Sequence, residues 1–298
     1  MIKTEGLRKS FDKHTVFDGA DITVEDGSVC GLIGINGAGK STLLRILSGV
    51  MRQDGGNVSI DGMPVYDNRA VKSNVFFLPD DPYYDSNFNV KRLRELYEAF
   101  YDLDKEKYEK YIKLFHLPVD KPIRNFSKGM RRQAFIAVAF ACKAKYIFLD
   151  EAFDGLDPLC RMEFKRGIIE CKERGTTVVI SSHSLRELED ICDSFILIDR
   201  STVKQCGALV DALEKIFKLQ FAFGDDQEFT RERLPFEVLR LSKIGKVITV
   251  VAHGNSNDAI ERIKELSPLF VEEIQMDFED MFIEEVQSRG YLDYDKGE

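Results

Sequence analysis

The chain has 298 residues, of which 44% are hydrophobic; this is enough for one large domain with a smaller one or for two medium domains, and it excludes a disordered chain. A net charge of −9 repels long polyanions at a distance, so no nucleic-acid partner is expected. The six cysteines form no C-x-x-C pair, which predicts reduced thiols. No signal peptide is recognised, and the apolar runs are far shorter than the about 20 residues of a membrane span, so we expect a cytoplasmic chain.

The first 27 residues are predicted to form short strands and turns. Phe11 lies there in a stretch that is otherwise rich in polar residues. Its ring either stacks on a nucleotide base or fills the interior of a small antiparallel sheet, and its position favours neither interpretation.

A glycine-rich loop follows a predicted buried strand at residues 29–35. Gly34-Ile-Asn-Gly-Ala-Gly-Lys-Ser41 fits G-x-x-x-x-G-K-[ST], the phosphate-binding P-loop, and a predicted helix begins near Gly39. Glycines let the loop turn its N–H groups inward, and the helix adds the positive end of its dipole. Lys40 is expected to reach the β- and γ-phosphates, and Ser41 to ligate Mg²⁺. The predicted nucleotide contacts are Asn36, Gly37, Ala38, Gly39, Lys40, Ser41 and Thr42.

The pattern becomes helical over residues 80–145, which predicts an insertion between core strands. Predicted strands at 146–149 and 176–180 then alternate with a helix at 158–173, as in parallel βαβ units that bind ligands at the carboxyl ends of their strands. Asp150-Glu151 and His183 follow two of these ends, so we expect them to join the P-loop in one site. From about residue 216, strand and helix patterns predict a small α+β appendage without a catalytic signature.

The order of motifs over about residues 1–215 resembles the ATP-binding-cassette (ABC) ATPases. Asp150 matches the acid of P-loop ATPases that holds Mg²⁺, usually through water, and Glu151 is placed to polarise the attacking water. Phe126-Ser-Lys-Gly-Met-Arg-Arg-Gln133 is similar to the family signature Leu-Ser-Gly-Gly-Gln, and Gly155-Leu-Asp-Pro158 to the loop after the catalytic Glu. His183 matches the switch histidine, and Leu78-Pro-Asp80 lies where the family has a loop that bears a glutamine. Phe11 lies where the family has an aromatic residue that stacks on adenine.

The resemblance implies an α/β fold: a P-loop core with an antiparallel β subdomain and a helical subdomain at about 80–145. With the appendage, the predicted domains are 1–215 for ATP binding and 216–298 as an accessory domain. The implied catalytic residues are Lys40, Glu151 and His183, acting on ATP with Mg²⁺. The implied metal ligands are Ser41, Asp80 and Asp150, and Phe11, Ser127, Gly129 and Asp157 complete the implied nucleotide-binding set.

The resemblance also implies partners. Ser127 is by itself expected to cap the helix at 128–143, but in the family this motif also reaches across a head-to-tail dimer to the γ-phosphate held by the other subunit. In such a dimer each ATP site combines the P-loop of one subunit with the signature of the other. With one P-loop and one signature, this chain would supply half of each of two sites. The chain should therefore hydrolyse ATP as a homodimer or a heterodimer and drive a separate permease. We expect the permease to contact residues 80–100 of this chain and to attach the chain to the cytoplasmic face of the membrane.

Three segments depart from the family pattern. Asp80 replaces Gln and adds charge beside Asp150 and Glu151, and Ala152-Phe-Asp154 replaces Pro-Thr-Ser with no clear chemical consequence. Lys128 and Met130 give a signature variant that is familiar in the ATPases of bacterial exporters, so export is expected. Two alternatives stay open: a soluble ABC ATPase that acts on ribosomes or DNA, and a non-hydrolytic nucleotide-dependent binding module.

Overall fold

The computed structural model describes residues 1–199, 201–206, 215–224, 234 and 236–288. The chain divides into two compact units, Met1–Gly207 and Ala208–Glu298. None of the helices in these described ranges is long and apolar enough to cross a membrane.

The strands of the first unit, in chain order, are β1 (Ile2–Phe11), β2 (His14–Val24), β3 (Val29–Ile33), β4 (Gly55–Ile60), β5 (Met63–Pro64), β6 (Val75–Leu78), β7 (Tyr146–Leu149), β8 (Thr177–Ser181), β9 (Ser194–Asp199) and β10 (Thr202–Cys206). Its helices are α1 (Lys40–Leu47), α2 (Arg69–Lys72), α3 (Val90–Glu98), α4 (Lys105–Leu114), α5 (Lys128–Ala141), α6 (Pro158–Glu173) and α7 (Leu185–Leu188), with a 3₁₀ turn at Ile123–Asn125.

The strands of this unit form two sheets. One is antiparallel with the order β2-β1-β4-β5, and the other has the order β10-β9-β3-β8-β7-β6. In the second sheet all neighbours pair in parallel except β10, which runs antiparallel to β9. Every residue of β7 and β8 is buried, as expected for parallel strands that are covered on both faces. The predicted α/β core with an antiparallel β subdomain is confirmed.

The predicted helical insertion is also present, since α3, α4 and α5 all lie between β6 and β7 in the chain. Asn89, Asp104 and Ser127 cap their N-termini by accepting a hydrogen bond from a backbone N–H of the first turn. The last ten residues of α5, from Arg132 to Ala141, are all buried, so this helix provides the interior of the insertion.

The second unit contains the strands β11 (Ile216–Ala222), β12 (Val238–Ile244), β13 (Val247–His253) and β14 (Phe270–Ile274) and the helices α8 (Ser256–Glu265) and α9 (Phe278–Ser288). The strands form an antiparallel sheet in the order β12-β13-β11-β14. Leu219, Phe221, Val250 and Ile263 belong to its apolar core. The predicted α+β character of the appendage is confirmed.

Candidate functional site

Three neighbouring parallel strands bring the predicted site residues together. β8 pairs with both β3 and β7, so the segments that follow these strands meet at one edge of the sheet. The P-loop follows β3, Asp150 and Glu151 follow β7, and His183 follows β8. The close contacts between these three segments are the ones the strand pattern predicted.

The P-loop backbone needs glycine where it turns into α1. Gly37 and Gly39 have φ values of 82° and 115°, which side chains other than glycine rarely adopt. A Cβ on Gly39 would also lie 2.6 Å from Val16 Cγ1, because β2 packs against the loop. Asn36 is exposed and the side chains of Ala38 and Thr42 are half-buried, so the loop borders solvent.

Lys40 is the cation at the centre of the site, with only 6% of the residue exposed. Its amine donates to the Gly34 carbonyl oxygen over 2.7 Å. It also forms an ion pair with Glu151 Oε1 at 3.4 Å. The amine therefore connects the P-loop to the acid that follows β7, at the place where phosphate oxygens would lie in a P-loop.

Ser41 and Asp150 bring two oxygen atoms close together, and their metal role stays a prediction. The Ser41 hydroxyl donates to Asp150 Oδ1 over 3.0 Å, and Asp150 is 1% exposed. Adjacent ligands of an octahedral ion with bonds of 2.0–2.1 Å lie about 2.9 Å apart. These two oxygens have that spacing, and a hydroxyl and a carboxylate are ligands that Mg²⁺ accepts, so the residues present fit the ion.

Glu151 is held in an unusual backbone conformation, with a φ of 47° in the left-handed region. For a residue other than glycine this conformation is uncommon and is concentrated at functional sites. Its N–H donates to Ser181 Oγ over 2.9 Å, and its Oε2 lies 3.1 Å from His183 Nδ1. The turn therefore directs one carboxylate oxygen at His183 and the other at Lys40.

Two further polar side chains, Ser181 and Arg132, contact the predicted site residues, although no motif indicated them. The Ser181 hydroxyl donates to Asp150 Oδ1 over 2.8 Å while it accepts from the Glu151 N–H, so it fixes both acids. Ser181 is the last residue of β8, and that position was the only available signal.

Arg132, on α5, is 2% exposed and donates to the carbonyl oxygens of Pro79 and Asp150 over 3.1 and 3.3 Å. A third hydrogen bond runs from its Nη2 to Asp80 Oδ1, 2.6 Å away. Nothing in the sequence besides a charge at the start of an apolar helix indicated this role. The metal role of Asp80 stays a prediction, and the partners of its carboxylate in the structure are Arg132 and Lys128.

The signature segment and the loop after Glu151 pack against each other. A Cβ on Gly129 would lie 2.3 Å from the Gly155 carbonyl oxygen, so the start of α5 needs glycine. Asp157 caps α6 by accepting from the Cys160 N–H, and this hydrogen bond holds the pKa of Asp157 below its usual range. Asp157 is thus a helix cap, and its nucleotide role stays a prediction.

Phe11 lies at the end of β1, and its ring is partly exposed with the Lys9 amine 5.3 Å from the ring centre. An exposed aromatic ring beside a cation suits a base-stacking surface better than a filler of the sheet interior. Its role in nucleotide binding also stays a prediction.

Comparison with known proteins places these features in context. A family model described as ABC transporter matches residues 17–154. The chain is 28% identical over 287 residues to the ABC transporter ATP-binding protein YtrB of Bacillus subtilis (strain 168), covering 95% of this chain and 97% of YtrB. It is 31% identical over 241 residues to the ABC-type transporter ATP-binding protein EcsA of the same organism, covering 78% of this chain and 97% of EcsA. A solved structure described as an ATP binding subunit of an ABC transporter superposes with a TM-score of 0.63 at 26% identity, covering 69% of this chain and 90% of that one.

Proposed function

Because the chain belongs to the ABC transporter family of ATP-binding subunits, which hydrolyse ATP, we propose that it works as a head-to-tail dimer over two MgATP and drives a separate membrane permease. The observation that carries this proposal is the convergence of the P-loop lysine, the Ser41–Asp150 oxygen pair and the Glu151–His183 pair at one sheet edge. Residues 1–215 are proposed as the ATP-binding domain and residues 216–298 as an accessory domain.

Catalysis by these residues would consist of positioning and charge neutralisation. Lys40 and the P-loop N–H groups would neutralise the β- and γ-phosphates. Glu151, held by its turn and by the Ser181 hydroxyl, would orient the attacking water, and His183 would contact the γ-phosphate. A magnesium ion held by Ser41 and Asp150 would add positive charge beside the phosphates.

Dimerisation is proposed because the signature segment has an anion-binding end of its own. Ser127 is exposed and caps α5, whose N-terminus carries the positive end of the helix dipole. This end would reach the γ-phosphate bound by the other copy. The chain or a closely related one can fill the second position.

The permease is proposed to dock in a groove of about 830 Å³ within the first unit. The groove lies between the helices α1 and α2 of the core and the helix α3 of the insertion. Its lining includes Val50, Tyr83, Leu96 and Phe100. Tyr83 is 91% and Phe100 69% exposed, so the groove presents aromatic surface to solvent. An amphipathic segment of a membrane protein fits such a surface. The signature variant Ser127-Lys-Gly-Met130 favours export as the direction of transport.

The proposal is tested with the variant Glu151→Gln. It removes the charge that orients water but keeps the side-chain volume, so we expect hydrolysis to fall by about 100-fold or more while ATP binding remains. Analytical ultracentrifugation with MgATP should then detect a dimer that persists. Glu173→Gln, at an exposed position near the end of α6, is the matched control and should behave as the wild type. Wild-type hydrolysis by Glu151→Gln would refute the assigned role, and a chain that stays monomeric with MgATP would refute the dimer.

The docking site is tested separately with Phe100→Glu. A charge in the groove should reduce the fraction of the chain recovered with membranes of its host while nucleotide binding is unchanged. Ile244→Glu, which is 83% exposed but lies in the second unit, is the control. Equal recovery of both variants would argue against the groove.

A further inference from the structure

We propose that Glu151, Asp154 and His183 form a binding site for a divalent transition-metal ion, and that the preferred ion is Zn²⁺. This site is distinct from the Mg²⁺ site proposed at Ser41 and Asp150. One ligand atom from each of the three side chains lies within 4.8 Å of the others. An imidazole nitrogen with two carboxylate oxygens is a donor set that zinc uses with water as a fourth ligand.

Two neighbouring segments of the chain bring these ligands together. Asp154 N–H donates to the Glu151 carbonyl oxygen over 3.1 Å, so both acids lie on one tight turn after β7. His183 follows β8, the parallel neighbour of β7. The ligands therefore come from two adjacent strand ends, which limits how far they can separate.

The two ligand distances from His183 are close to those around a tetrahedral ion. With Zn–N and Zn–O bonds of 2.0–2.2 Å, neighbouring ligand atoms lie about 3.4 Å apart. His183 Nδ1 is 3.1 Å from Glu151 Oε2 and 3.8 Å from Asp154 Oδ1. The two separations lie on either side of the ideal value.

Lysines orient both carboxylates towards the imidazole. Glu151 Oε1 pairs with Lys40 at 3.4 Å, and Asp154 Oδ2 pairs with Lys128 at 3.7 Å, so the second oxygen of each acid faces His183. The two lysines also offset the two negative charges, so general electrostatic attraction would not hold a cation here. Binding would depend on direct ligation by nitrogen and oxygen, which selects Zn²⁺ over Mg²⁺ and Ca²⁺.

The cluster is open to solvent, since the side chains of His183 and Asp154 are 55% and 35% exposed. An ion can therefore enter and keep a water ligand. A bound ion would hold Glu151 and His183 to each other and away from ATP, so Zn²⁺ would inhibit hydrolysis. This inhibitory consequence rests on the proposed function, whereas binding of the ion does not.

Binding is tested by titrating the full chain with Zn²⁺ in a calorimeter, in excess Mg²⁺ and without nucleotide. The wild type and Asp120→Asn, which removes an exposed acid from a remote turn, should bind one ion at this site with equal affinity. Asp154→Asn and His183→Ala should each bind it about tenfold or more weakly. Equal affinity in Asp154→Asn would overturn the proposal. Co²⁺ gives a second readout, because a thiolate charge-transfer band would place the ion on cysteine and overturn it as well.

Inhibition is tested with MgATP in excess. Zn²⁺ should slow hydrolysis by the wild type and by Asp120→Asn at concentrations that leave Asp154→Asn active. Inhibition of Asp154→Asn at the same concentrations would overturn the inhibitory role. A wild type without ATPase activity before Zn²⁺ is added would refute the proposed function instead, and the binding result would still decide the metal site.

Discussion

Replacing Asp80 by Asn is expected to destabilise the first unit by about 1–2 kcal/mol, because it removes the carboxylate that pairs with a buried guanidinium. The Arg132–Asp80 hydrogen bond is 2.6 Å long, and Arg132 is 2% exposed. A charge-assisted hydrogen bond contributes about 1.5–3 kcal/mol, and solvent reaches the half-exposed Asp80, which lowers that value.

Arg132→Met should cost more, about 3 kcal/mol, since it also leaves the carbonyl oxygens of Pro79 and Asp150 without these donors. Because both substitutions break the same ion pair, the double variant should be less destabilised than the sum by about 1 kcal/mol or more. Lys128→Met is the control: its amine lies 3.7 Å from Asp80 and its side chain is 59% exposed, so its effect should stay below about 0.5 kcal/mol.

The assay is equilibrium unfolding in urea, read by pulsed hydrogen exchange on peptides from α5 and β7, which reports on the first unit alone. Additivity of the two substitutions within about 0.5 kcal/mol would refute the reasoning, because it would mean that Asp80 and Arg132 are not energetically coupled.

Three further predictions concern other contacts. Ser181→Ala removes the hydroxyl that bridges the two acids after β7, and should lower kcat about tenfold with a smaller change in KM, measured by steady-state ATPase assays. Gly129→Ala places a Cβ 2.3 Å from the Gly155 carbonyl oxygen, and should lower the midpoint of thermal unfolding of the first unit, whereas alanine at the open Gly245 turn should not affect that unit. Burial raises the pKa of Asp61, but hydrogen bonds from the Tyr146 hydroxyl and the Lys145 amine outweigh it and hold that pKa below its usual range. This stabilisation is present above the unfolded pKa of about 3.9 and is lost as pH falls below it, so Asp61→Asn should reduce the drop in urea midpoint between neutral and acidic pH.

The sequence predicted the sheet edge that holds the site because two local signals indicate it. Apolar runs predict buried strands, and the alternation of strand and helix patterns predicts that those strands are parallel. The run before Asp150 has to be a buried strand, and a P-loop between a strand and a helix has one known geometry. Strand order alone places the P-loop and the acids after β7 at one edge of the sheet, whereas the ion pair between Lys40 and Glu151 is seen only in the structure.

Other contacts depended on side chains from distant parts of the chain. In the sequence, Arg132 is one of two adjacent arginines near the start of a predicted helix, and nothing marks it as buried. Only the packing of α5 in the structure shows that its charge is buried and paired with Asp80. Asp154 likewise had no assigned consequence until its turn placed it beside His183.

The sequence by itself determined the family, the class of fold and the residue types of the nucleotide site, since these depend on short motifs and on local patterns of hydrophobicity. Only the tertiary structure decided which charges face each other, because ion pairs between residues of different helices, strands and loops are set by how those elements pack. That packing turned three departures from the family pattern, Asp80, Lys128 and Asp154, into one connected set of contacts around the proposed catalytic residues.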